Sequence, residues 1–193
     1  ALVIEGLVKR FGRVEALSGI DLVLDRPGVY GFLGPNGAGK TTTFKLAGAL
    51  LRPTAGRILI DGRDVNERAP AAVSRLGVLF DSPAFYPYLS GAENLEVFAR
   101  WKGLAGGERA RRLLETTGLA REAHRKVGGY SWGMKRRLGI AAALIGDPRL
   151  LLLDEPTNGL DPAGIADIRR LLPHLAWQEG RTVLLSSHRM EEV

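Results

Sequence analysis

The chain of 193 residues contains no cysteine, which excludes both a disulfide framework and a thiolate metal site and agrees with a cytoplasmic setting. No apolar run approaches the roughly 20 residues that span a bilayer, so the expectation is that any membrane is met through a partner. The N-terminus also lacks the basic-then-apolar layout of a secretory signal. Acidic residues are in deficit, 21 against 27 Lys and Arg, and the imbalance is local. Residues 82–137 hold eleven basic and five acidic side chains, leaving the remainder balanced at 16 of each. Such a segment suits an anionic partner (nucleotide phosphate, lipid headgroup or nucleic acid), or is simply a solvated helical surface, the plainer reading of charge alone. Hydrophobic residues at 45% and charged residues at 25% are ordinary for a globular protein. The length suits one α/β domain, or a domain with an insertion.

What is present centres on Gly34-Pro35-Asn36-Gly37-Ala38-Gly39-Lys40-Thr41, a Gly, four residues, then Gly-Lys-Thr. The strand-like run Val29–Leu33 precedes it, and Thr42-Thr43-Phe44-Lys45-Leu46-Ala47 reads as the first turns of a helix, the context a phosphate loop requires. The glycines let successive N–H groups turn inward, and the helix adds its positive N-terminal dipole to the same cavity. A triphosphate tail fits there. Lys40 is placed to reach the β- and γ-phosphates, and the Thr41 hydroxyl to be one ligand of Mg²⁺.

Elsewhere Leu2–Val8 and Ile20–Leu24 carry strand character, with Lys9–Arg13 as a turn between them. Phe11 in that turn is either a stacking platform for a base or a core residue at a hairpin. Arg57–Gly62 reads as a strand ending in a turn, Ala69–Leu76 as a short helix with Pro70 in its first turn, and Gly77–Phe80 as a buried strand. The pattern then changes. Ala84–Leu89 is aromatic and broken by proline, and amphipathic helices are predicted over Ala92–Trp101, Gly107–Thr117 and Ser131–Ile145. The expected division is therefore a first core part over 1–80, a coupling loop and helical insertion over 81–137, and a second core part over 138–193.

Four leucines, Leu150–Leu153, followed by Asp154-Glu155-Pro156, read as a central parallel strand with acids at its C-terminal end, where doubly wound sheets bind ligands. Asp154 is then placed to hold Mg²⁺ and Glu155 to meet a water attacking the γ-phosphate. Asn158–Pro162 is a turn in which Asp161 caps the helix Ala163–Trp177 with proline at N1, and Pro173 is expected to kink or interrupt that helix. Thr182–Ser187 is a further core strand, with His188 at its carboxyl end as a functional candidate.

The constellation resembles the nucleotide-binding domain of ATP-binding cassette (ABC) proteins over nearly the whole chain. Gly34–Thr41 looks like that family's Walker A, Leu150–Glu155 like its Walker B with catalytic glutamate, and Asn158–Asp161 like its D-loop. Tyr130-Ser131-Trp132-Gly133-Met134 stands at its signature position, His188 at its switch histidine and Phe11 at its adenine-stacking aromatic. The resemblance implies an α/β P-loop NTPase fold with a mostly parallel sheet, an N-terminal antiparallel β part and a helical insertion. It implies ATP bound by Phe11, Gly34, Pro35, Asn36, Gly37, Ala38, Gly39, Lys40, Thr41 and Thr42, with Mg²⁺ on Thr41, Asp81 and Asp154. Catalysis would rest on Lys40, Glu155 and His188, with Ser131 and Gly133 completing the site in trans on a second subunit and Asp161 in the D-loop.

Two departures stand out. Trp132 and Met134 replace the first glycine and the glutamine of the usual Leu-Ser-Gly-Gly-Gln, and Asp81 replaces the usual glutamine of the Q-loop, substituting a shorter, negative group for a neutral amide. These features resemble the antibiotic- and multidrug-export branch typified by bacitracin-resistance ATPases. The implied assembly is a dimer of nucleotide-binding subunits joined to a transmembrane permease at the cytoplasmic face, with no nucleic acid. Further strand and helix are expected after the five residues that follow His188. Rival readings are a soluble ABC ATPase acting on nucleic acid or ribosomes, and a small-molecule phosphotransferase.

Overall fold

A computed structural model describes residues 1–67, 69–80, 84–104 and 107–189. Its N-terminal part is an antiparallel sheet in the order β2-β1-β4-β5, formed by β1 (Leu2–Phe11), β2 (Val14–Leu24), β4 (Ala55–Ile60) and β5 (Arg63–Asp64). The β1–β2 hairpin is longer than its sequence suggests. Lys9, Arg10 and Phe11 continue the strand instead of turning, and only Gly12-Arg13 separates the two. Hydrogen-bond pairing across the hairpin, Phe11 with Val14 included, extends a strand past the point where its apolar alternation fades.

The second sheet is parallel, in the order β3-β8-β7-β6, with β3 at Gly28–Leu33, β6 at Leu76–Leu79, β7 at Leu150–Leu153 and β8 at Thr182–Ser187. Every residue of β7 and β8 is buried, as two-sided burial between helical layers demands. Side chains alternate between the faces with the pleat. Leu150, Leu152 and Leu184 point toward α1 (Lys40–Ala47) and the antiparallel sheet, packing with Phe44, Leu46, Leu2 and Ile58. Leu151, Leu153, Val183 and Leu185 pack on the opposite face against Ile168, Leu171 and Leu172 of α6 (Pro162–Pro173) and Ile140 of α5 (Trp132–Ala143). In-register pairing of Leu33 with Ser187 and of Leu153 with both Leu185 and Leu79 brings the C-terminal ends of all four strands to one edge.

The short helix α2 covers Ala69–Val73 and gives way to β6 at Leu76, sooner than the sequence reading through Leu76. Pairing of Leu76 with Leu150 recruits that leucine to the sheet. Pro173 interrupts the helix as expected: α6 ends there and a π-helical turn, His174–Gln178, follows.

A third apolar cluster joins α3 (Gly91–Trp101), α4 (Gly107–Thr116) and α5 through Leu95, Ala99, Leu114, Leu138 and Ala141. Helix α5 runs unbroken across the expected boundary between residues 137 and 138, and its last turns lie on the parallel sheet. Some of the basic side chains of this part are paired on its surface. Arg111 bridges Glu108 and Glu115, and Arg125 meets Glu122.

Gly77 marks where α5 meets the sheet, since a Cβ there would overlap the Ala143 carbonyl and lie 2.7 Å from Leu151 Cδ2. Gly77→Ala is expected to cost about 1–3 kcal/mol by overpacking, seen as a lower urea midpoint with an unchanged slope.

Candidate functional site

The loop from Gly34 leaves β3 beside β8, the Gly34 amide donating to the Ser187 carbonyl at 3.3 Å. It ends at Gly39, whose φ of 86° is left-handed and whose missing Cβ is filled by the Ala16 carbonyl and the Leu17 side chain. Only glycine meets both conditions. Helix α1 starts with no side-chain cap and no acid in its first turn, so its leading N–H groups and dipole are available to an anion. Lys40 folds back over the loop, and its Nζ donates to the carbonyls of Gly34 at 2.7 Å and Pro35 at 3.1 Å.

Opposite the loop stand the acids at the end of β7. Thr41 Oγ1 donates to Asp154 Oδ2 at 2.7 Å. The Glu155 carboxylate lies between two cationic or protonatable groups, Lys40 Nζ at 3.4 Å from Oε1 and His188 Nδ1 at 2.9 Å from Oε2. Its backbone is unusual for a side chain that must be placed accurately, with φ of 47°. Such a conformation persists only where the surroundings hold it. Here the Glu155 amide donates to Ser186 Oγ at 2.9 Å, and its carbonyl accepts from Arg136 Nη2 at 2.9 Å and from the Asn158 amide at 3.1 Å. Ser186 in turn donates to Asp154 Oδ1 at 2.6 Å.

Asn36, Gly37, Gly39, Lys40, Thr41, Thr42, Asp154, Glu155 and His188 thus line one cleft of about 460 Å³, together with Ala16 and Asn158. Gly34 and Pro35 sit behind it, holding Lys40, and Ala38 closes the turn by donating to the Pro35 carbonyl. Thr41 and Asp154 supply two hard oxygens, and among the described residues no three His, Cys, Asp or Glu side chains cluster as a metal cage. That donor set fits a small dication such as Mg²⁺, which takes most of its ligands from water and substrate phosphate. Asp81, expected to add a carboxylate, lies outside the described residues.

Phe11 is no core residue. It ends β1, is 48% exposed and has Lys9 Nζ 4.9 Å above its ring. Ser131 and Gly133 do not line the cleft. Ser131 caps α5 by accepting from the Met134 amide, and Gly133 faces Leu160. Asp161 caps α6 by accepting from the Gly164 amide at 2.9 Å. A second cleft, of about 470 Å³ between Gly118, Arg137 and Arg170, holds none of the expected site residues.

Two supporting residues escaped the sequence reading. Ser186 belongs to a strand read only as a core strand, although a polar residue one step before a strand's functional end was a usable signal. Arg136 was one charge among many in a basic helix, yet it is 1% exposed and bonded to the backbone of Glu155 and, at 3.4 Å, of Phe80.

A family model described as ABC transporter matches residues 17–158. The chain is 41% identical over 189 residues to a bacitracin transport ATP-binding protein of Enterococcus faecalis, covering 98% of this chain and 61% of that protein. It is 46% identical over 196 residues to a daunorubicin resistance ATP-binding protein of Streptomyces coeruleorubidus, covering 100% of this chain and again 61% of the relative. This chain therefore spans about three-fifths of the length of these relatives. Among solved structures it resembles a dimeric ATP-binding cassette in a post-hydrolysis state bound to ADP and Pi, with a TM-score of 0.88 and 27% identity over 100% of this chain and 90% of that one.

Ser186→Ala would strip a partner from both the Glu155 amide and Asp154. The expected loss is about 1–3 kcal/mol for buried polar groups left unmet, measurable by chemical denaturation.

Proposed function

Because the chain belongs to the ABC transporter family, we propose that it is the ATP-binding and ATP-hydrolysing subunit of an exporter, driving a small molecule such as an antibiotic or drug through a separate membrane subunit. The observation that carries the hydrolytic part is the convergence of Lys40, Thr41, Asp154, Glu155 and His188 on one cleft at the N-terminus of α1. The export part is supported by the names of the relatives, which include bacitracin, daunorubicin and lantibiotic ATP-binding proteins.

The chemistry follows from position. The loop amides and α1 dipole receive the phosphates, and Lys40 exchanges its contacts with the Gly34 and Pro35 carbonyls for phosphate oxygens. Thr41 and Asp154 would hold Mg²⁺, which when bound neutralises phosphate charge. Glu155 accepts a hydrogen bond from the attacking water and polarises it in line with the γ-phosphate. His188, 2.9 Å from Glu155, orients that carboxylate and reaches toward the same phosphate. Phe11, exposed at the end of β1, offers its ring to adenine. Ser131 and Gly133, which do not line their own cleft, are assigned to the nucleotide of a second copy, so that two subunits close head to tail on two ATP molecules.

Seating on a membrane subunit is assigned to the aromatic face between the sheet and α3. Phe85 contacts Phe98 at 5.9 Å between ring centres, Phe98 contacts Trp101 at 5.3 Å, and Tyr86 contacts Tyr88 at 5.8 Å. Asn94 shapes this loop, its side chain bonding both the amide and the carbonyl of Tyr86. Trp101 and Tyr88 are 69% and 64% exposed, a solvent-facing aromatic area of the kind that marks a partner surface. Lys102, whose pKa is lowered by partial desolvation of its ammonium, lines the adjoining cleft. No helix among the described residues is long and apolar enough to cross a membrane.

Glu155→Gln is expected to keep ATP affinity, measured by calorimetry, while lowering turnover by about 10²–10⁴-fold, the usual worth of a general base; near-normal phosphate release would reject the assignment. Tyr88→Ala combined with Trp101→Ala is expected to weaken capture of the membrane subunit by about 2 kcal/mol or more and to depress export, with basal ATPase activity retained. Loss of ATP binding in that variant would contradict the docking assignment.

A further inference from the structure

Trp132 is a bulky residue at a position where the family resemblance leads one to expect glycine, and its surroundings give it a task. Its indole Nε1 donates to the Asn158 carbonyl at 3.1 Å, across 26 residues of sequence. The next residue of that turn, Gly159, has φ of 74°, and a Cβ there would stand 3.0 Å from the same nitrogen. Leu160 completes the contact, its Cδ2 lying 3.6 Å from where a Cβ on Gly133 would be. One helical turn further, Arg136 places its guanidinium carbon 5.7 Å from the centre of the Trp132 ring, while Nη2 donates to the Glu155 carbonyl.

These contacts close a ring. It runs from Trp132 to Asn158, through the backbone bond between the Asn158 amide and the Glu155 carbonyl, and back through Arg136 to Trp132. Glu155 occupies a left-handed conformation that needs external support, and Arg136 is a buried cation that donates to the backbone carbonyls of Phe80 and Glu155. The first turn of α5 and the turn after β7 are therefore joined within one subunit. A glycine at 132 has no side chain with which to form this joint.

We propose that Trp132 is a positioning residue that couples the two nucleotide sites of the dimer, by locking the Asn158–Asp161 turn and the Glu155 backbone to the helix start that carries Ser131 and Gly133. The proposal rests on the head-to-tail dimer proposed above. Displacement of Ser131 and Gly133 by the partner's nucleotide is then transmitted to Glu155 of the same subunit, and hydrolysis at one site responds to occupancy of the other. Coupling of this kind can be carried by side chains and hydrogen bonds that join the two sites, and the indole hydrogen bond is such a link.

The test uses the full-length subunit assembled with its membrane partner. Trp132→Phe keeps a ring over Arg136 but removes the N–H; Trp132→Leu removes both. Amide hydrogen exchange over residues 157–161, measured without nucleotide, is expected to accelerate in the order wild type, Phe, Leu. In the MgATP dependence of hydrolysis, kcat is expected to fall about fivefold or more and the Hill coefficient to drop toward about 1, with KM changed by about twofold at most. Unchanged exchange in both variants overturns the clamp. Faster exchange with wild-type kcat and Hill coefficient overturns the coupling, as does a rise in KM alone, which would make Trp132 a nucleotide contact. If the wild-type assembly hydrolyses no ATP, the hydrolase reading fails, and the exchange measurement, which needs no nucleotide, still decides the clamp.

Discussion

The joint between β7 and β8 at their C-terminal ends is where the rest of the structure meets the chemistry. The Ser186 hydroxyl accepts from the Glu155 amide and donates to Asp154, so one buried atom sets both acids that follow the leucine strand. Register makes this possible. With Leu153 opposite Leu185, the next residues along, Asp154 and Ser186, come side by side. A one-residue slip would turn the acids to the other face of the sheet, and the two-sided burial of both strands prevents that slip.

From that joint the site is assembled by pairing opposites across short distances. Thr41 reaches Asp154 from α1, and Lys40 and His188 flank Glu155 from two other elements. Each contact spans more than 30 residues of sequence, and all three converge on one cleft. An arrangement already ordered before reaction incurs little reorganisation during it, the condition for electrostatic catalysis.

The helical part extends the same logic outward. Helix α5 is anchored at its far end on the parallel sheet and at its near end to the turn after β7, so the segment carrying Ser131 and Gly133 is not an independent appendage. The aromatic face formed by α3 and the loop before it remains open at Tyr88 and Trp101. The two surfaces proposed for other chains thus share one support.

Much of this was legible in the order of residues. Gly34–Thr41 announces a phosphate loop because its spacing is dictated by local backbone geometry, and Leu150–Glu155 announces a buried strand with acids at its end because burial on both faces leaves only apolar residues before them. Pro173 interrupts its helix for a reason contained in its own ring. Local conformation and composition therefore belonged to the sequence. Where β1 ends, why α2 stops at Val73, the roles of Ser186 and Arg136 and the reach of Trp132 to Asn158 were decided by the tertiary structure, because each depends on a partner distant in the chain that only strand register and helix docking bring within hydrogen-bond range.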